Sequence, residues 1–184
     1  MQAVLDRDPA CDKYTQCMLY FKGFQAVQSH RIAHWLWNHG RKALAIALQS
    51  RISEVFHVDI HPAAVIGRGV MIDHATGVVI GETTEIKDNV SMLHHVTLGG
   101  SGTGKGKRHP TIGHGVLLGA GVSILGPLTV GCGSKIGAGA VVVQNLPPHC
   151  VAVGVPARVV KRDTTCEPCD NMDQCKDFVH DFQI

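Results

Sequence analysis

Residues 112–142 read IGHGVLLGAGVSILGPLTVGCGSKIGAGAVV, and in this stretch an aliphatic residue returns at every sixth position. The series comprises Ile112, Leu118, Ile124, Val130, Ile136 and Val142. A period of six fits neither an isolated strand, which repeats about every two residues, nor a helix, which repeats about every 3.6. It predicts a solenoid in which a short strand and a corner form each side of a triangular prism.

The same period extends upstream with two interruptions. The earlier members of the series are Ile60, Ile66 and Ile72, then, after a slip of two residues, Ile80, Ile86, Met92 and Leu98. Eight extra residues then precede Ile112, and this glycine-rich segment is predicted to leave the prism as a loop over residues 99–111. Since three sides make a coil of about 18 residues, the series predicts four or more coils with the aliphatic residues stacked inside.

Residues 1–57 are predicted to form short helices. Asp8-Pro9 is typical of a helix start, and Gly23 and Gly40 are typical of helix ends. Between residues 41 and 56 the spacing of the apolar residues predicts one buried helix face, made of Ala45, Leu48, Ile52 and Val55. The predicted class is therefore α+β: a helical segment (1–57), a β-helix domain (58–162) and a mobile tail (163–184).

Composition excludes several kinds of protein. A net charge of +2 without a basic stripe argues against a nucleic-acid surface. No apolar segment has the length of a signal sequence or a membrane span, so we expect a soluble, cytoplasmic protein. Seven cysteines, an odd number, argue against a disulfide framework. Near the end, Cys166, Cys169, Cys175 and His180 could bind zinc, although a reduced, mobile tail is the favoured interpretation.

Titratable residues gather around the early coils and the loop: Asp59, Asp73, His74, His94, His95, Arg108 and His109. Asp59 and His74 are separated by about one coil, so the aspartate could orient the imidazole and leave its other nitrogen as a base. Without a serine or cysteine nucleophile nearby, this pair suits deprotonation of a substrate hydroxyl. The alternative is a turn histidine satisfied by a carboxylate. Arg108 could bind a substrate carboxylate or be a solvated loop cation.

Several of these stretches resemble the serine O-acetyltransferase family. The resemblance lies in DIHPAAVIGRGVMIDHATGVVIGETTEIKDNVSMLHHVTLGG (residues 59–100), in RHP (108–110) and in GVPARVV (154–160). Upstream it includes RDPACDKY, YFKGF and HWLWNHGRKALA, so that it covers roughly residues 2–161. The combination of DHATG, VTLGG and RHP is specific, whereas the repeats alone would indicate only an acyltransferase-like prism.

The resemblance implies a left-handed parallel β-helix of hexapeptide repeats, assembled as a trimer with active sites between neighbouring prisms. It also implies a reaction: the acetyl group of acetyl-CoA passes to the hydroxyl of L-serine, giving O-acetylserine in cysteine biosynthesis, with L-cysteine as feedback inhibitor. His74 matches the general base of the family and Asp59 its orienting partner. Serine would attack the thioester directly, without an acyl-enzyme, and no metal is expected.

Further positions match residues that bind the amino acid. Asp8 and Asp73 match the acids that hold the amino group of serine or cysteine, although Asp8 alone would be read as a helix cap. Arg108 and His109 match the carboxylate-binding position and its neighbour.

The co-substrate would bind along small residues. Ala120 and Ala138 match the edge along which the pantetheine of CoA runs, and Gly100 matches the place where the thioester arrives. Arg158 and Lys161 are assigned to the CoA phosphates from their charge and from the segment GVPAR.

The last residue, Ile184, matches as well, since members of the family commonly end in isoleucine and insert this tail into O-acetylserine sulfhydrylase. Three features depart from the family. Members often carry a longer helical N-terminal region that joins two trimers, so a trimer is favoured here over a hexamer. Lys107 stands where relatives often have an acid, which would affect loop closure or cysteine inhibition. The cysteine-rich tail matches nothing expected.

Three other functions stay open at the level of sequence. Prisms of this kind also host zinc between subunits, as in γ-type carbonic anhydrases, and the histidines would suit that. An acetyltransferase of the same fold could act on a sugar or an antibiotic, although Arg108 favours an amino acid. A non-catalytic scaffold could simply present its tail to a partner.

Overall fold

The computed structural model describes residues 1–102, 104–162, 168 and 172. Its first part is helical, with α1 (Gln2–Arg7), α2 (Tyr14–Tyr20), α3 (Lys22–Asn38) and α4 (Lys42–Phe56). Helix α3 packs along α4, and α4 lies against the first strand. Within the ranges that the structure describes, every helix is too short or too polar to cross a bilayer.

Fifteen short strands follow in the described part of the chain. They are β1 (Val58–Ile60), β2 (Val65–Ile66), β3 (Met71–Ile72), β4 (Val78–Ile80), β5 (Glu85–Ile86), β6 (Ser91–Met92), β7 (Thr97–Gly99), β8 (Thr111–Ile112), β9 (Leu117–Leu118), β10 (Ser123–Leu125), β11 (Thr129–Val130), β12 (Lys135–Ile136), β13 (Val141–Val142), β14 (Val151–Val153) and β15 (Arg158–Lys161).

From β1 to β13, every third strand returns to the same sheet, which makes a triangular prism; β14 and β15 then both join the third sheet. Sheet A has the order β1-β4-β7-β10-β13, sheet B the order β11-β8-β5-β2, and sheet C the order β15-β14-β12-β9-β6-β3. The strand pairs are parallel except for β14 with β15, which is antiparallel. The predicted solenoid is confirmed, and its length is about five coils.

The strand register explains both interruptions of the repeat. In sheet A, Asp59 pairs with Val79, twenty residues later, because the first coil contains the two-residue slip. Val79 in turn pairs with Thr97, eighteen residues later. In sheet B, Glu85 pairs with Thr111, twenty-six residues later, because the predicted loop leaves the prism in that coil. The loop thus adds eight residues without disturbing the stacking on either side.

The aliphatic series forms the core of the prism. Twelve of its thirteen members are at most 5% exposed, and Ile66 in the first coil is half-buried. The twelve are Ile60, Ile72, Ile80, Ile86, Met92, Leu98, Ile112, Leu118, Ile124, Val130, Ile136 and Val142. Burial of one such side chain stabilises the fold by about 1.5–3 kcal/mol. The stack therefore fixes the register, and the register fixes the corners that carry the polar residues.

The structure of the helical segment differs from the prediction in three details. Asp8 does not begin a helix: it follows the end of α1, and its Oδ1 accepts the Ala10 N–H at 2.9 Å, because Asp-Pro favours a turn as well as a helix start. Gly40, with a φ of 77°, ends α3 as predicted, whereas Gly23 lies inside that helix. Val55 is 48% exposed, unlike the buried Ile52 of the same helix.

His30 is expected to lower the free energy of unfolding at acidic pH. Burial, with smaller contributions from His34, Arg31 and His61, lowers the pKa of His30 from 6.5 to about 4, despite its bond to the Ala64 carbonyl. Between these values the unfolded chain holds the extra proton, so the free energy of unfolding falls as the pH drops below 6.5. The expected loss from this group between pH 7 and pH 5 is about 2 kcal/mol.

The measurement is urea unfolding at the two pH values. The variant His30→Gln should lose about 2 kcal/mol less than the wild type on acidification, while the exposed control His39→Gln should behave like the wild type. Equal losses in His30→Gln and the wild type would contradict this assignment.

Candidate functional site

A cavity of about 480 Å³ lies between the start of α3, strand β3 and the turn that follows it. Two acids, a lysine and a histidine contribute to its wall: Asp8, Asp73, Lys22 and His74. Most of the other lining residues are aromatic or aliphatic, such as Phe24, and Thr76 adds a hydroxyl group. The structure therefore brings together three of the predicted site residues, Asp8, Asp73 and His74, from segments more than sixty residues apart.

The two carboxylates of this cavity favour a cationic ligand. Burial raises the pKa of Asp73 above its ordinary value; His74 opposes this shift, and the nearby carboxylate of Asp8 adds to it. A bound ammonium group would relieve both the burial cost and the repulsion between the two acids. The geometry is thus suited to an amine.

One edge of the prism continues from this cavity toward the last coils. His74, His94, Ala120 and Ala138 each lie two residues after a strand of sheet C, at equivalent places in successive coils. The rings of the first two are 5.7 Å apart between centroids, and the Gly139 N–H donates to the Ala120 carbonyl at 2.8 Å. We call this row the His74 edge. Its side chains become smaller from imidazole to methyl, so Ala120 and Ala138 cover less of the backbone than the two histidines do.

The predicted contact between Asp59 and His74 is not made in this structure. Asp59 Oδ1 accepts from Gln49 Nε2 at 2.6 Å, while Nε2 of the exposed His74 ring lies 3.5 Å from Asp73 Oδ2. The physical reason is the register: the coil has twenty residues, so Asp59 lies opposite Val79 and not beside the turn of His74.

A second group of predicted residues lies at another corner of the prism. Glu82 and Thr83 follow β4, and Arg108 and His109 precede β8 and return over them. Arg108 Nη2 donates to Glu82 Oε2 at 2.5 Å, which holds the pKa of Glu82 below its ordinary value. We call this group the Arg108 edge. Lys107 donates here to the Thr83 carbonyl at 2.8 Å and to Glu85 at 2.9 Å.

Thr83 holds the end of the loop and sets the tautomer of His109. Its hydroxyl oxygen accepts the backbone N–H groups of Arg108 and His109, each at 3.0 Å. Its own N–H donates to His109 Nδ1 at 3.2 Å, so Nδ1 is an acceptor and Nε2 carries the proton. Burial and the charge of Arg108 lower the pKa of His109, which keeps it neutral. A Cβ at Gly81 would lie 2.0 Å from Nε2, so only glycine leaves room for the ring.

Sheet A separates the two edges within a single chain. The His74 edge lies between sheets C and A, and the Arg108 edge lies between sheets A and B. Accordingly, neither Arg108 nor His109 lines the cavity of Asp8 and Asp73. One chain therefore does not bring all predicted substrate-binding residues together.

The predicted CoA-binding residues follow the His74 edge or adjoin the loop. Ala120 and Ala138 belong to the edge itself, and a Cβ at Gly100 would lie 3.2 Å from His109 Nε2. Arg158 and Lys161 lie on β15, which extends sheet C beyond the coil of Ala138. Both basic side chains are exposed. They are thus at the far end of the row that begins at His74.

Three residues of these sites were missed by the sequence reasoning: Lys22, Glu82 and Thr83. For the last two a signal existed. Arg108 and His109 lie twenty-six residues after Glu82 and Thr83, which is the length of one coil with its loop. Lys22 left no comparable signal, because its contact with the turn depends on the packing of α3.

The remaining predictions concern metal ions and the tail. Over residues 1–102, 104–162, 168 and 172, no three acidic, histidine or cysteine side chains are arranged to hold a metal ion. Ile184, Cys166, Cys169, Cys175 and His180 lie outside the described residues.

The fold and the two edges define a left-handed parallel β-helix protein with paired acids and a histidine at one corner. A sequence model described as "Serine acetyltransferase, N-terminal" matches residues 1–29. The chain is 58% identical over 180 residues to a serine acetyltransferase of Salmonella typhimurium, covering 98% of this chain and 66% of that protein. For the Escherichia coli enzyme the identity is 59%, covering 95% and 64%.

Solved structures agree with the sequence comparison. A serine acetyltransferase from Vibrio cholerae superposes with a TM-score of 0.92 at 55% identity, covering 94% of this chain and 67% of that one. A serine acetyltransferase in complex with cysteine gives 0.92 at 53%, with the same coverage. One from Brucella abortus in complex with coenzyme A gives 0.86 at 55%, covering 88% and 64%. The chain belongs to the serine acetyltransferase family, and it spans about two thirds of the length of these curated relatives.

Proposed function

We propose that this chain transfers the acetyl group of acetyl-CoA to the hydroxyl of L-serine, giving O-acetylserine and CoA, as the first step of cysteine biosynthesis. The observation that carries the proposal is the cavity in which Asp8, Asp73 and His74 meet at the start of the His74 edge. Its two carboxylates would suit an amine and its imidazole would suit a base, and the row of small residues beside them would leave room for an extended ligand. The names of the relatives support the same substrates.

Binding of the amino acid would use both edges. The carboxylates of Asp8 and Asp73 would hold the ammonium group. The guanidinium of Arg108 has five N–H donors, of which Glu82 engages one nitrogen, so it can bind the substrate carboxylate as well. His109, neutral with its proton on Nε2, would donate a further hydrogen bond.

His74 would act as the general base, with Asp59 as the residue that orients it in the substrate complex. The exposed imidazole accepts the proton of the serine hydroxyl while the oxygen attacks the thioester carbonyl carbon. The carbon–sulfur bond then breaks, and the imidazolium returns the proton to the leaving thiolate. Attack would be direct, because among the described residues the cavity wall contains neither serine nor cysteine that could carry an acyl group.

Acetyl-CoA would lie along the His74 edge. The methyl side chains of Ala120 and Ala138 leave the backbone accessible to the pantetheine, and Gly100 would face the thioester. Arg158 and Lys161 would meet the phosphates at the far end of the row. No metal enters this mechanism.

The separation of the two edges supports a trimer in which each active site uses two copies of the chain. Sheet A lies between the edges; Val79 and Leu125 are exposed on its outer face, and Val143, directly after β13, is exposed as well. Contact with a second copy would bury these apolar side chains and could bring the Arg108 edge of one chain to the His74 edge of the next. We favour the trimer over the hexamer as the basic unit.

Regulation, partner and location complete the proposal. L-cysteine resembles serine in its amine and carboxylate, so it would bind to the same acids and inhibit the enzyme, as the cysteine complex of a relative suggests.

Ile184 would anchor the chain to O-acetylserine sulfhydrylase. A cytoplasmic location is supported by the free thiols of Cys11, Cys17, Cys132 and Cys150.

A substrate panel tests the activity. Thiol release from acetyl-CoA should depend on L-serine and should be inhibited by added L-cysteine, because the cavity combines an amine site with a base. Galactosides and chloramphenicol should give no release above background. Release with either of these instead of serine would favour the alternative acetyltransferases, and stoichiometric zinc with bicarbonate dehydration would overturn the proposal.

A further inference from the structure

The turn that carries His74 has an unfavourable backbone. His74 and Ala75 have φ values of 57° and 60°, so two consecutive residues with side chains adopt the left-handed conformation. Such conformations persist only where the surroundings impose them. The Ala75 N–H donates to the Asp73 carbonyl and the Thr76 N–H to the His74 carbonyl, each at 2.7 Å. The position of the imidazole thus depends on what holds this turn.

The first turn of α3 lies directly against it. A Cβ at Gly23 would lie 1.9 Å from the Ile72 carbonyl oxygen and 3.4 Å from Ala75 Cβ, so the helix backbone contacts the turn. The half-buried Lys22 donates from Nζ to the hydroxyl oxygen of Thr76. That hydroxyl lies 3.4 Å from the His74 carbonyl oxygen, to which it can donate. A chain of polar contacts therefore leads from the lysine to the backbone of the histidine.

We propose that Lys22 is a positioning residue, which holds the His74 turn in its left-handed conformation through the hydroxyl of Thr76. The inference rests on the proposed role of His74 as general base. An ammonium group has donors only, so it occupies an acceptor site of the hydroxyl and directs the hydroxyl hydrogen toward the His74 carbonyl. A charged donor also makes a stronger bond than a neutral one.

The competing role is direct binding of the substrate. Lys22 lines the same cavity as Asp8 and Asp73, and a lysine there could bind the carboxylate of the amino acid. The two roles differ in kinetics. Loss of a substrate ligand raises KM, whereas a displaced base lowers kcat with KM unchanged.

The experiment combines Lys22→Met, Thr76→Val and the double variant, with Lys22→Arg as the conservative replacement. Each single change should lower kcat for serine by about 10- to 100-fold, since a displaced base loses the geometry of attack. The double variant should lose no more than either single one, because both act through one contact. Lys22→Arg should restore most of kcat. The exposed Lys13→Met is the matched control and should behave like the wild type.

Hydrogen exchange provides a readout that does not need activity. The Gly77 N–H bonds to the His57 carbonyl at 2.8 Å and the Val78 N–H to the Ala75 carbonyl at 3.1 Å. Both amides should exchange at least about tenfold faster in Lys22→Met and Thr76→Val than in the wild type or Lys13→Met. A wild type that fails to acetylate serine would defeat the proposed function but leave this measurement intact. Unchanged exchange, additive losses in kcat or a change confined to KM would overturn the role of Lys22.

Discussion

Replacement of His74 by asparagine is expected to lower kcat for serine acetylation by about 10²- to 10⁴-fold, the usual contribution of a general base. Asparagine is the appropriate replacement because residue 74 has a φ of 57°, a conformation that asparagine tolerates better than alanine does. The turn should therefore keep its shape and lose only the imidazole. Thiol release from acetyl-CoA measures the rate, and the melting temperature should stay unchanged.

Two companion variants make the result specific. His39→Asn removes an exposed histidine at the end of α3 and should retain wild-type kcat. Asp59→Asn should lower kcat by a smaller factor than His74→Asn, since it would affect only the orientation of the ring. Retention of most activity by His74→Asn would remove the base from the mechanism, and wild-type kcat in Asp59→Asn would remove its orienting partner.

Two variants that should each be inactive alone, His74→Asn and Arg108→Met, are expected to restore activity when their chains assemble in one trimer. His74→Asn lacks the base, and Arg108→Met lacks the carboxylate ligand, but each retains the edge that the other has lost. If every site joins edges of two chains, a mixed trimer contains one intact site, so its activity should be about one third of that of the wild type. The reason is the position of sheet A, which separates the two edges within one chain.

The mixed trimers are obtained by coexpression with two affinity tags and sequential purification. Size-exclusion chromatography with light scattering establishes that they are trimers. The control is a double variant with both substitutions, coexpressed with the wild type. A trimer with one wild-type chain and two doubly substituted chains has no intact site between chains, so it should be inactive. Mixed trimers that are as inactive as their parents would mean that one chain supplies both edges, and a monomeric active enzyme would contradict the assembly.

Most of the fold could be predicted because the six-residue period specifies which residues stack inside the prism. The six-residue series from Ile60 to Val142 predicted both the interior of the prism and the point at which the loop leaves it. The site was predictable to the extent that it follows from coil lengths. Arg108 lies over Glu82 because one coil has twenty-six residues, and the same count would have paired His109 with Thr83.

The rest depended on packing that a repeat does not encode. An assumed coil of about 18 residues placed Asp59 beside His74, whereas the actual coil of twenty residues places it opposite Val79. Asp8 reaches the cavity from the end of α1, and Lys22 from the start of α3, through the docking of helices onto the prism. Helix docking is a tertiary property that local sequence patterns do not specify.

The number of coils sets the length of the His74 edge. Each coil advances the edge by one strand spacing, about 4.8 Å, so the three steps from His74 to Ala138 span about 14 Å. Deletion of the 18-residue coil between Ala120 and Ala138 would shorten this span by about 4.8 Å and keep His74 and its turn. The length of ligand that fits between the base and the basic residues of β15 is thus set by the number of coils.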